Sequence, residues 1–379
     1  GSRHVVSAFA EFAVPLIVDK PFIESLNLQI AGRYEDFSDV GSIFKPKVAM
    51  AWVMNDNAMI RGAYSGGFKA PGLPQTTAVD VARSNTRSDP VTQTSRGTLE
   101  LRNGSDSLSP EESENYSFGI VLTPMKDLTL TVDWWEIQQE NTVGILSSQT
   151  LILYDALLRS QGSEYENVIR DENNEIVYIR NDYTNLLPRE ISGVDYSVDY
   201  RFETEMGNFS VKLSAANLTK FDQGTDAITA MVLEAQDAGN EALLYEGDQV
   251  SISGTSGSLI RQNERPKWRA NLSLGYAKDA WRAGLKYRYV SDVEDTSLNY
   301  TNDEGDLVNY IIDHWSTLDA YVSYRFSEDA LFSGRTKLTV GMRNLTDETP
   351  PFTDETFGYS SALHSSLGRY TYVTLNHKF

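Results

Sequence analysis

A period-two alternation of apolar and polar side chains constrains the fold of this 379-residue sequence more than any other feature. In the stretch DLTLTVDWW, Leu128, Leu130 and Val132 fall on one face of an extended strand, whereas Thr129 and Thr131 fall on the other. The same pattern recurs in thirteen segments, at roughly 3–17, 24–36, 44–53, 57–67, 113–123, 127–139, 189–202, 208–217, 266–276, 281–290, 315–326, 336–345 and 367–379. Most of them have the about 9 to 11 residues that a tilted strand needs to cross a bilayer.

The connections between these segments alternate in length. Short turns are predicted near 18–23, 54–56, 124–126, 203–207, 277–280 and 327–335. Long connections are predicted near 68–112, 140–188, 218–265, 291–314 and 346–366, and one short member of this second set lies near 38–43. Aromatic residues crowd the strand ends beside the short turns, namely Phe202, Phe209, Tyr276, Trp281, Phe326 and Phe379. These features favour an all-β fold, an antiparallel transmembrane β-barrel with long extracellular loops and short periplasmic turns.

The composition excludes several classes of protein. A formal net charge of -20 argues against a nucleic-acid partner, because phosphate binding needs a basic surface. The sequence contains no cysteine, so a disulfide framework, a thiolate metal site and a cysteine nucleophile are impossible. The sequence has no run of 18 apolar residues, which excludes a transmembrane helix. A transmembrane barrel is not excluded, because each of its strands gives a much weaker hydrophobic signal than a transmembrane helix.

Five motifs follow one another in an order that resembles the barrel of TonB-dependent outer-membrane receptors. They are SAFAEFAVPLI, LQIAGRYEDFSDVGSIFKPKVAMAWV, IRGAYSGGFKAPGLPQ, NLLPREISGVDYSVDY, and the tail VGMRNLTDETPPF with LGRYTYVTLNHKF. The residues that serve as family markers are Gly67, Phe68, Lys69, Ala70, Pro71, Asn344, Leu345 and Phe379. Lys69 stands where the family commonly has Arg, a mild difference if the residue acts through its charge.

The stretch IRGAYSGGFKAPGLPQ is interpreted as a strand that leaves the membrane at its outer rim. Gly66, Gly67 and Pro71 are predicted to end the strand pairing there, because Gly loosens a strand and Pro cannot donate to the ladder. Phe68 is expected in the upper aromatic girdle, and Lys69 is expected to open a long loop.

The resemblance implies a barrel of about 22 strands that encloses an amino-terminal plug. Residues 1–379 are therefore interpreted as the carboxy-terminal portion of one barrel domain, about 13 strands of it, with the plug outside this chain. Closing thirteen strands on themselves would create a parallel seam, and an open sheet would expose unpaired edge groups to lipid. We therefore expect a fragment or product of a longer protein that cannot transport alone.

The same resemblance implies an active importer rather than an enzyme, located in the outer membrane of a Gram-negative bacterium. Its nutrient would be scarce, such as a siderophore, a vitamin or an oligosaccharide. The expected partners are outer-membrane lipid, the missing plug and amino-terminal barrel strands, the small-molecule nutrient, and the energy-coupling protein TonB, which would act through the plug. Neither a cofactor nor a nucleic acid is expected.

Charged residues on the polar face of the strands would face the lumen of such a barrel. They are Arg33, Arg61, Asp133, Asp195, Arg201, Arg282, Lys286, Arg288 and Arg343. Because the lumen is polar, these groups would hydrogen-bond the plug or line a water-filled path. Direct recognition of the nutrient is the less favoured role for any one of them.

Other candidate sites are less well supported by the sequence. The histidines that could transfer protons are His4, His314, His364 and His377. His314 and His364 have Asp or Ser nearby in the sequence, but such neighbours do not supply the geometry of a catalytic triad. The segment 65–69, SGGFK, lacks the spacing of a phosphate-binding loop. The acidic loop 291–314 lacks the spacing of a calcium loop, so no catalytic or metal site is predicted.

Two elements are predicted inside the long connection 140–188. Residues 145–160 have apolar side chains at helical spacing, which predicts an amphipathic helix that packs against other loops. Residues 169–179 read as a hairpin that turns at Asn173 and Asn174.

Two other functions remain open at this point. A passive porin would share the alternation, with fewer strands and no plug. A soluble β-rich binding domain or hydrolase would also alternate, but its loops would be more even in length.

Overall fold

The computed structural model describes residues 1–252, 256–327 and 334–378. Its main element is one antiparallel sheet in which each long strand is hydrogen-bonded to the next long strand along the chain. The thirteen strands are Val5–Lys20 (β1), Ile23–Phe37 (β2), Gly41–Asn55 (β3), Ala58–Lys69 (β4), Glu111–Met125 (β5), Leu128–Glu140 (β6), Arg189–Thr204 (β7), Gly207–Gln223 (β8), Trp268–Lys278 (β9), Trp281–Val290 (β10), Trp315–Arg325 (β11), Arg335–Arg343 (β12) and Tyr370–Lys378 (β13). The alternation predicted this number and order correctly. Phe379 lies outside the described residues.

Several strands are longer than the alternation indicated. β8 ends at Gln223, where it still pairs with Arg189 of β7, although the apolar pattern stops near residue 217. Backbone hydrogen bonds hold a ladder together whatever the side chains are, so pairing continues past the apolar band. The thirteen-stranded sheet, which we call the wall, therefore extends beyond the segments that the hydrophobic pattern marks.

The glycines of β4 do not end its pairing on both sides, which corrects the prediction from the sequence. The ladder with β3 stops at Lys47 opposite Ser65, but the ladder with β5 continues to Lys69 opposite Glu111. Glycine keeps both backbone hydrogen-bonding groups, so the strand leaves the sheet before Pro71, which has no N–H to donate. The ring of Phe68 lies 5.3 Å from that of Phe37, centroid to centroid.

The two faces of the sheet differ in chemistry along continuous rows of paired residues. One row runs across five strands and consists of Ile60, Ile120, Val132, Tyr196 and Ala215. The next row, on the opposite face, consists of Arg61, Gly119, Asp133, Asp195 and Ala216. The apolar face is strongly exposed, since 44% of Val132 is accessible. A sheet with this much uncovered apolar surface needs a nonpolar environment.

Aromatic rings form the predicted band beside the short turns. Tyr200, Phe202, Phe209 and Tyr276 follow one another with ring centroids 4.9, 5.2 and 5.2 Å apart. The rings of Trp281, Tyr324 and Phe326 continue the band on the next strands, at 4.7 and 5.0 Å.

The buried apolar core of the chain lies in the long connections rather than in the wall. Three of these connections meet in one unit, which we call the loop module. It contains a four-stranded sheet, in the order Val168–Arg170, Ile176–Arg180, Thr94–Arg102 and Val81–Asp89, and the helices Ser148–Ser160 (α2) and Ala227–Asp237 (α3). The predicted helix and hairpin are both present here, and the chain turns at Asn174 with φ 62°.

Helix α2 supplies much of the core of the loop module. Leu153 and Leu157 pack with Val232 of α3, and Leu151 and Ile152 pack with the small sheet. Apolar side chains thus cover more than one side of the helix, which is what a helix buried between two elements requires. The prediction that the helix packs against other loops is confirmed.

An ion-pair network is buried inside the loop module. Arg170 donates to both oxygens of Asp89, at 2.6 and 2.9 Å, and to Asp155 at 2.8 Å. The exposed fractions of the three side chains are 2%, 5% and 0%. Burial lowers the pKa of Arg170, but the two carboxylates outweigh it and hold that pKa above its ordinary value. The network joins strand Val81–Asp89, helix α2 and strand Val168–Arg170.

The remaining connections carry short elements. Helix α1 spans Leu73–Thr77, a short helical turn spans Glu241–Leu243, and Gly257–Ser258 pairs with β8. Two-residue pairs join Val143–Gly144 to Thr184–Asn185 and Leu244–Tyr245 to Asp248–Gln249. The acidic connection after β10 forms a hairpin of Val293–Thr301 and Leu307–Ile312. None of the helices in the described part of the chain is long and apolar enough to cross a membrane.

His364 lies in the connection between β12 and β13 and is 7% exposed. Its ring meets that of Trp315 edge-on, at 5.6 Å between centroids. Burial lowers the pKa of this imidazole, so the neutral form is favoured.

Candidate functional site

The candidate functional site is the polar face of the thirteen-stranded sheet. All nine charged residues singled out in the sequence lie on this face, as the strand registers place them. Since residues two apart in a strand share a face, the alternation was sufficient to place them. It could not predict which of these residues meet.

Arg61 and Asp133 form an ion pair that spans an intervening strand. Arg61 Nε and Nη2 lie 3.0 and 2.7 Å from the two carboxylate oxygens of Asp133. Gly119 of β5 stands between them in the same row, and a Cβ atom there would collide with the Asp133 carboxylate. The missing side chain of Gly119 is therefore what allows β4 to be linked to β6.

A second group of charges lies nearer the short turns. Arg201 and Lys212 both approach Asp199, at 3.4 and 3.0 Å. At the other side of the sheet, Arg33 Nε donates to Glu35 at 2.6 Å. Both arginines remain largely exposed, at 65% and 60%, so these pairs contribute little stability and leave donors for another molecule.

A third group surrounds Asp319, a residue that the sequence reasoning missed. Arg288 Nη2 donates to Asp319 at 2.7 Å, and the backbone N–H of Asn344 donates to the same carboxylate at 3.1 Å. Lys286 and Arg343 line the adjoining hollow of about 460 Å³. Asp319 could have been found from the sequence, because it falls on the polar side of the alternation in its strand. In the structure it pairs with Lys286.

Arg343 makes its contacts with aromatic rings. Its guanidinium lies 5.6 Å from the ring centroid of Tyr370 and 5.9 Å from that of Tyr372. Tyr372 in turn covers Gly341, where a Cβ atom would strike the ring. Cation–π contacts of this kind hold the guanidinium flat against the wall without neutralising its charge.

Asp195, Arg282 and Lys286 form no ion pair with any residue in the described part of the chain. Asp195 lies beside Asp133 in the same row, and Arg282 lies nearest the short turns. Charged groups of this kind on a polar wall can bind water, ions or a second polypeptide.

The family markers have mostly structural roles. Asn344 is 4% exposed, and its side chain holds the next connection through Glu348 N, Glu348 O and Leu367 O at 2.9, 2.8 and 3.3 Å. Lys69 forms an ion pair with Glu111 at 3.0 Å, and Pro71 accepts a hydrogen bond from Arg3 at 2.8 Å.

A polar cavity of about 280 Å³ separates the loop module from the top of the wall. Arg87 lines it and donates from Nε to Ser148 Oγ at 2.8 Å, at the start of helix α2. Burial lowers the pKa of Arg87. Gln223, the last residue of β8, also lines the cavity.

Potential metal ligands are scattered. Among residues 1–252, 256–327 and 334–378, no group of three or more His, Asp or Glu side chains is arranged to hold a metal ion. Asp292, just before the acidic hairpin, instead forms an ion pair with Arg261.

These features define a class of protein. An antiparallel wall with one exposed apolar face, one polar face, an aromatic band beside short turns and folded long loops is the wall of an outer-membrane β-barrel. The family model "TonB dependent receptor-like, beta-barrel" matches residues 2–345. The chain belongs to this family of TonB-dependent receptor barrels. A comparison with curated protein sequences found no match.

Solved structures with the same fold include three bacterial receptors. The siderophore receptor PirA from Acinetobacter baumannii is 16% identical with a TM-score of 0.64, over 100% of this chain and 46% of that one. The ferric enterobactin receptor PfeA from Pseudomonas aeruginosa, as a mutant, is 16% identical with a TM-score of 0.65, over 100% and 45%. Pseudomonas aeruginosa FpvA, bound to heterologous pyoverdines, is 16% identical with a TM-score of 0.54, over 98% and 38%. The chain therefore spans less than half the length of these receptors.

Proposed function

We propose that this chain forms the carboxy-terminal thirteen strands of a barrel of about 22 strands, which imports a scarce nutrient across the outer membrane of a Gram-negative bacterium. The proposal includes a plug and amino-terminal strands supplied by the rest of a longer polypeptide. It also includes energy coupling through TonB, which acts on the plug. Iron-loaded siderophores are the favoured nutrient class, and the protein is not an enzyme.

The observation that carries the proposal is the family match over residues 2–345, together with a wall that is polar on one face. The neighbours whose titles name siderophores or enterobactin support the nutrient class. The exposed guanidinium groups of Arg33 and Arg201 provide donors for a plug that would occupy the lumen.

The edges of the sheet support the proposal of a longer barrel. β1 and β13 each pair with one strand, so each has an unpaired edge among the described residues. Each unsatisfied backbone group is costly in lipid, and closure by further strands removes that cost. β1 and β13 run in the same direction, so an odd number of added strands would close the barrel without a parallel seam.

An uptake assay with a defined probe tests this function. The full-length protein is expressed in a strain that lacks its own receptors for ferric enterobactin, with and without TonB, and uptake of radio-iron-loaded enterobactin is measured. We expect uptake that requires both the protein and TonB. Uptake that persists without TonB, with high conductance of the purified protein in planar bilayers, would establish a passive porin instead.

A failure of enterobactin alone is resolved by a second measurement. Vitamin B12 and a maltooligosaccharide are offered to the same pair of strains as alternative nutrients. TonB-dependent uptake of either compound would keep the importer proposal and change the nutrient. The absence of any TonB dependence across the three compounds would refute energised uptake of these nutrient classes.

A further inference from the structure

An apolar groove of about 570 Å³ lies on the outer face of the wall and is lined by residues of β8 to β13. Its floor consists of two small side chains, Ala283 and Ala320. These lie on neighbouring strands, one two-residue step apart, because Ala283 pairs with Val322. The groove therefore runs obliquely across the strands.

Larger side chains flank the two alanines in their own rows. Ala283 lies between Tyr276 and Val322. Ala320 lies in the next row, between Leu285 and Met342. Leu285 is 43% exposed, so the groove is open to its surroundings on the outside.

The wall behind the groove is thin. Gly284 and Gly341 occupy the polar face there, and the rings of Tyr321 and Tyr372 cover them from the lumen side. Because the glycines have no side chains, the rings lie directly on the backbone. The groove is therefore closed toward the lumen and opens outward.

Aromatic rings and charges lie below the foot of the groove, on the side of the short turns. Trp281 and Tyr324 pair directly below Ala283, with ring centroids 4.7 Å apart. Lys278 is exposed, pairs with Trp281, and donates to the carbonyl of Glu205 at 3.1 Å. Asp279 follows it in the short turn, so one positive and one negative charge lie side by side at the membrane boundary.

We propose that this groove is a binding site for one glycerophospholipid of the periplasmic leaflet, with an acyl chain along Ala283 and Ala320. The headgroup is zwitterionic, with its phosphate facing Lys278 and its amine facing Asp279. This complementarity favours phosphatidylethanolamine over phosphatidylglycerol, whose glycerol headgroup has no amine for Asp279. The inference goes beyond nutrient uptake and rests on the membrane location of the wall.

The dimensions favour a lipid over a protein partner. A groove lined by six neighbouring strands is roughly 24 Å long, given a strand spacing of about 4.8 Å. Stable protein interfaces bury roughly 800 Å² on each partner. The groove is also continuous with the apolar face that contacts lipid, and Trp and Tyr at its foot are the side chains that favour the headgroup level.

Native mass spectrometry of the full-length protein tests the proposal. The protein is released from nanodiscs that contain equal amounts of phosphatidylethanolamine and phosphatidylglycerol, and the retained lipid is identified. The test variant is Ala283→Phe with Ala320→Phe, which fills the groove. The matched control is Ala215→Phe with Ala270→Phe, two alanines paired on the same face outside the groove.

We expect the wild type and the control to retain phosphatidylethanolamine. The groove variant is expected to retain about fivefold less phosphatidylethanolamine, which corresponds to the loss of roughly ten carbon–carbon contacts between the acyl chain and the groove. Equal retention in the groove variant, equal loss in the control, or a preference for phosphatidylglycerol would each overturn the proposal.

If the double variant does not fold, Ala283→Leu is used, with Ala215→Leu as its control. Asp279→Asn is expected to lower the preference for phosphatidylethanolamine, because the amine of that headgroup would lose its partner. Retention is measured without transport, so failed uptake would not affect this test.

Discussion

Removing Arg170 tests whether the loop module depends on its buried ion-pair network. In Arg170→Ala, the carboxylates of Asp89 and Asp155 lose a partner that is itself 2% exposed. Both carboxylates keep neutral donors, since Asp155 accepts from Tyr165 N at 3.0 Å and Asp89 accepts from Thr92 Oγ1 at 2.8 Å. Asp155 also keeps the guanidinium of Arg159 at 3.0 Å, so Asp89 is the buried carboxylate that loses its positive partner, and neutral hydrogen bonds do not neutralise its charge.

The expected cost follows from the number of groups left without a partner. Removing one member of a buried ion pair typically costs about 3–5 kcal/mol, because an uncompensated charge remains. Each 1.4 kcal/mol changes an equilibrium about tenfold, so opening of the loop module should become roughly a hundredfold to several thousandfold more frequent. The control, Arg159→Ala, removes a 23% exposed arginine from the same Asp155 and should cost about 1 kcal/mol or less.

Native-state hydrogen exchange of the full-length protein in nanodiscs measures these effects directly. Amides of helix α2 and of strand Ile176–Arg180 should lose protection in Arg170→Ala, whereas amides of the wall should keep theirs. The reasoning would be refuted if protection of α2 changed by less than tenfold. It would also be refuted if Arg159→Ala had an equal effect.

Three further predictions follow from the wall and the last connection. Val132→Lys should reduce the yield of folded, heat-modifiable protein, because a lysine on the lipid face costs about 2–4 kcal/mol at the midplane of the bilayer. Thr131→Lys, one residue away on the polar face, should be tolerated. Equal yields of the two variants would contradict the assigned faces. Gly341→Val should also lower this yield by forcing the ring of Tyr372 off the wall, and Tyr372→Ala should rescue it if that collision is the cause. His364 has a lowered pKa in the folded state. Its contribution to loop stability is therefore complete above the unfolded pKa of about 6.5 and is lost as the pH falls toward the folded value. Hydrogen exchange near His364 should accelerate at acidic pH, and His364→Gln should remove this dependence.

The wall was predictable because its physics is local. A strand in contact with lipid on one face and water on the other must alternate, and Val132 and Asp133 show this one residue at a time. The direction and order of the strands then follow from the alternation of short and long connections. The ends of the strands were less predictable, because backbone pairing continues where the apolar pattern has stopped, as in β8.

The loop module was predictable in its parts but not as a unit. The helix and the hairpin in 140–188 could be read from periodicity and turn residues. The contact that unites them with the strand Thr94–Arg102 is a parallel pairing with Ile176–Arg180, between segments about 80 residues apart in the sequence. No local pattern specifies such a pairing, and the partners of Arg170 are distant for the same reason.

The limit of prediction from the sequence is clearest in the candidate site, at Gly119. The alternation placed Arg61 and Asp133 on one face, but one strand lies between them in the row, so their backbones are about two strand spacings apart. Their contact depends on an intervening position with no side chain, and a glycine within a strand is ordinarily read as a weak point. In this wall the glycine instead determines which charges neutralise each other. Asp195 and Arg282 form no ion pair among the described residues, so they are the charges that we propose for contact with a plug. A sequence can identify such residues only when the side chains between them are considered together with the charges themselves.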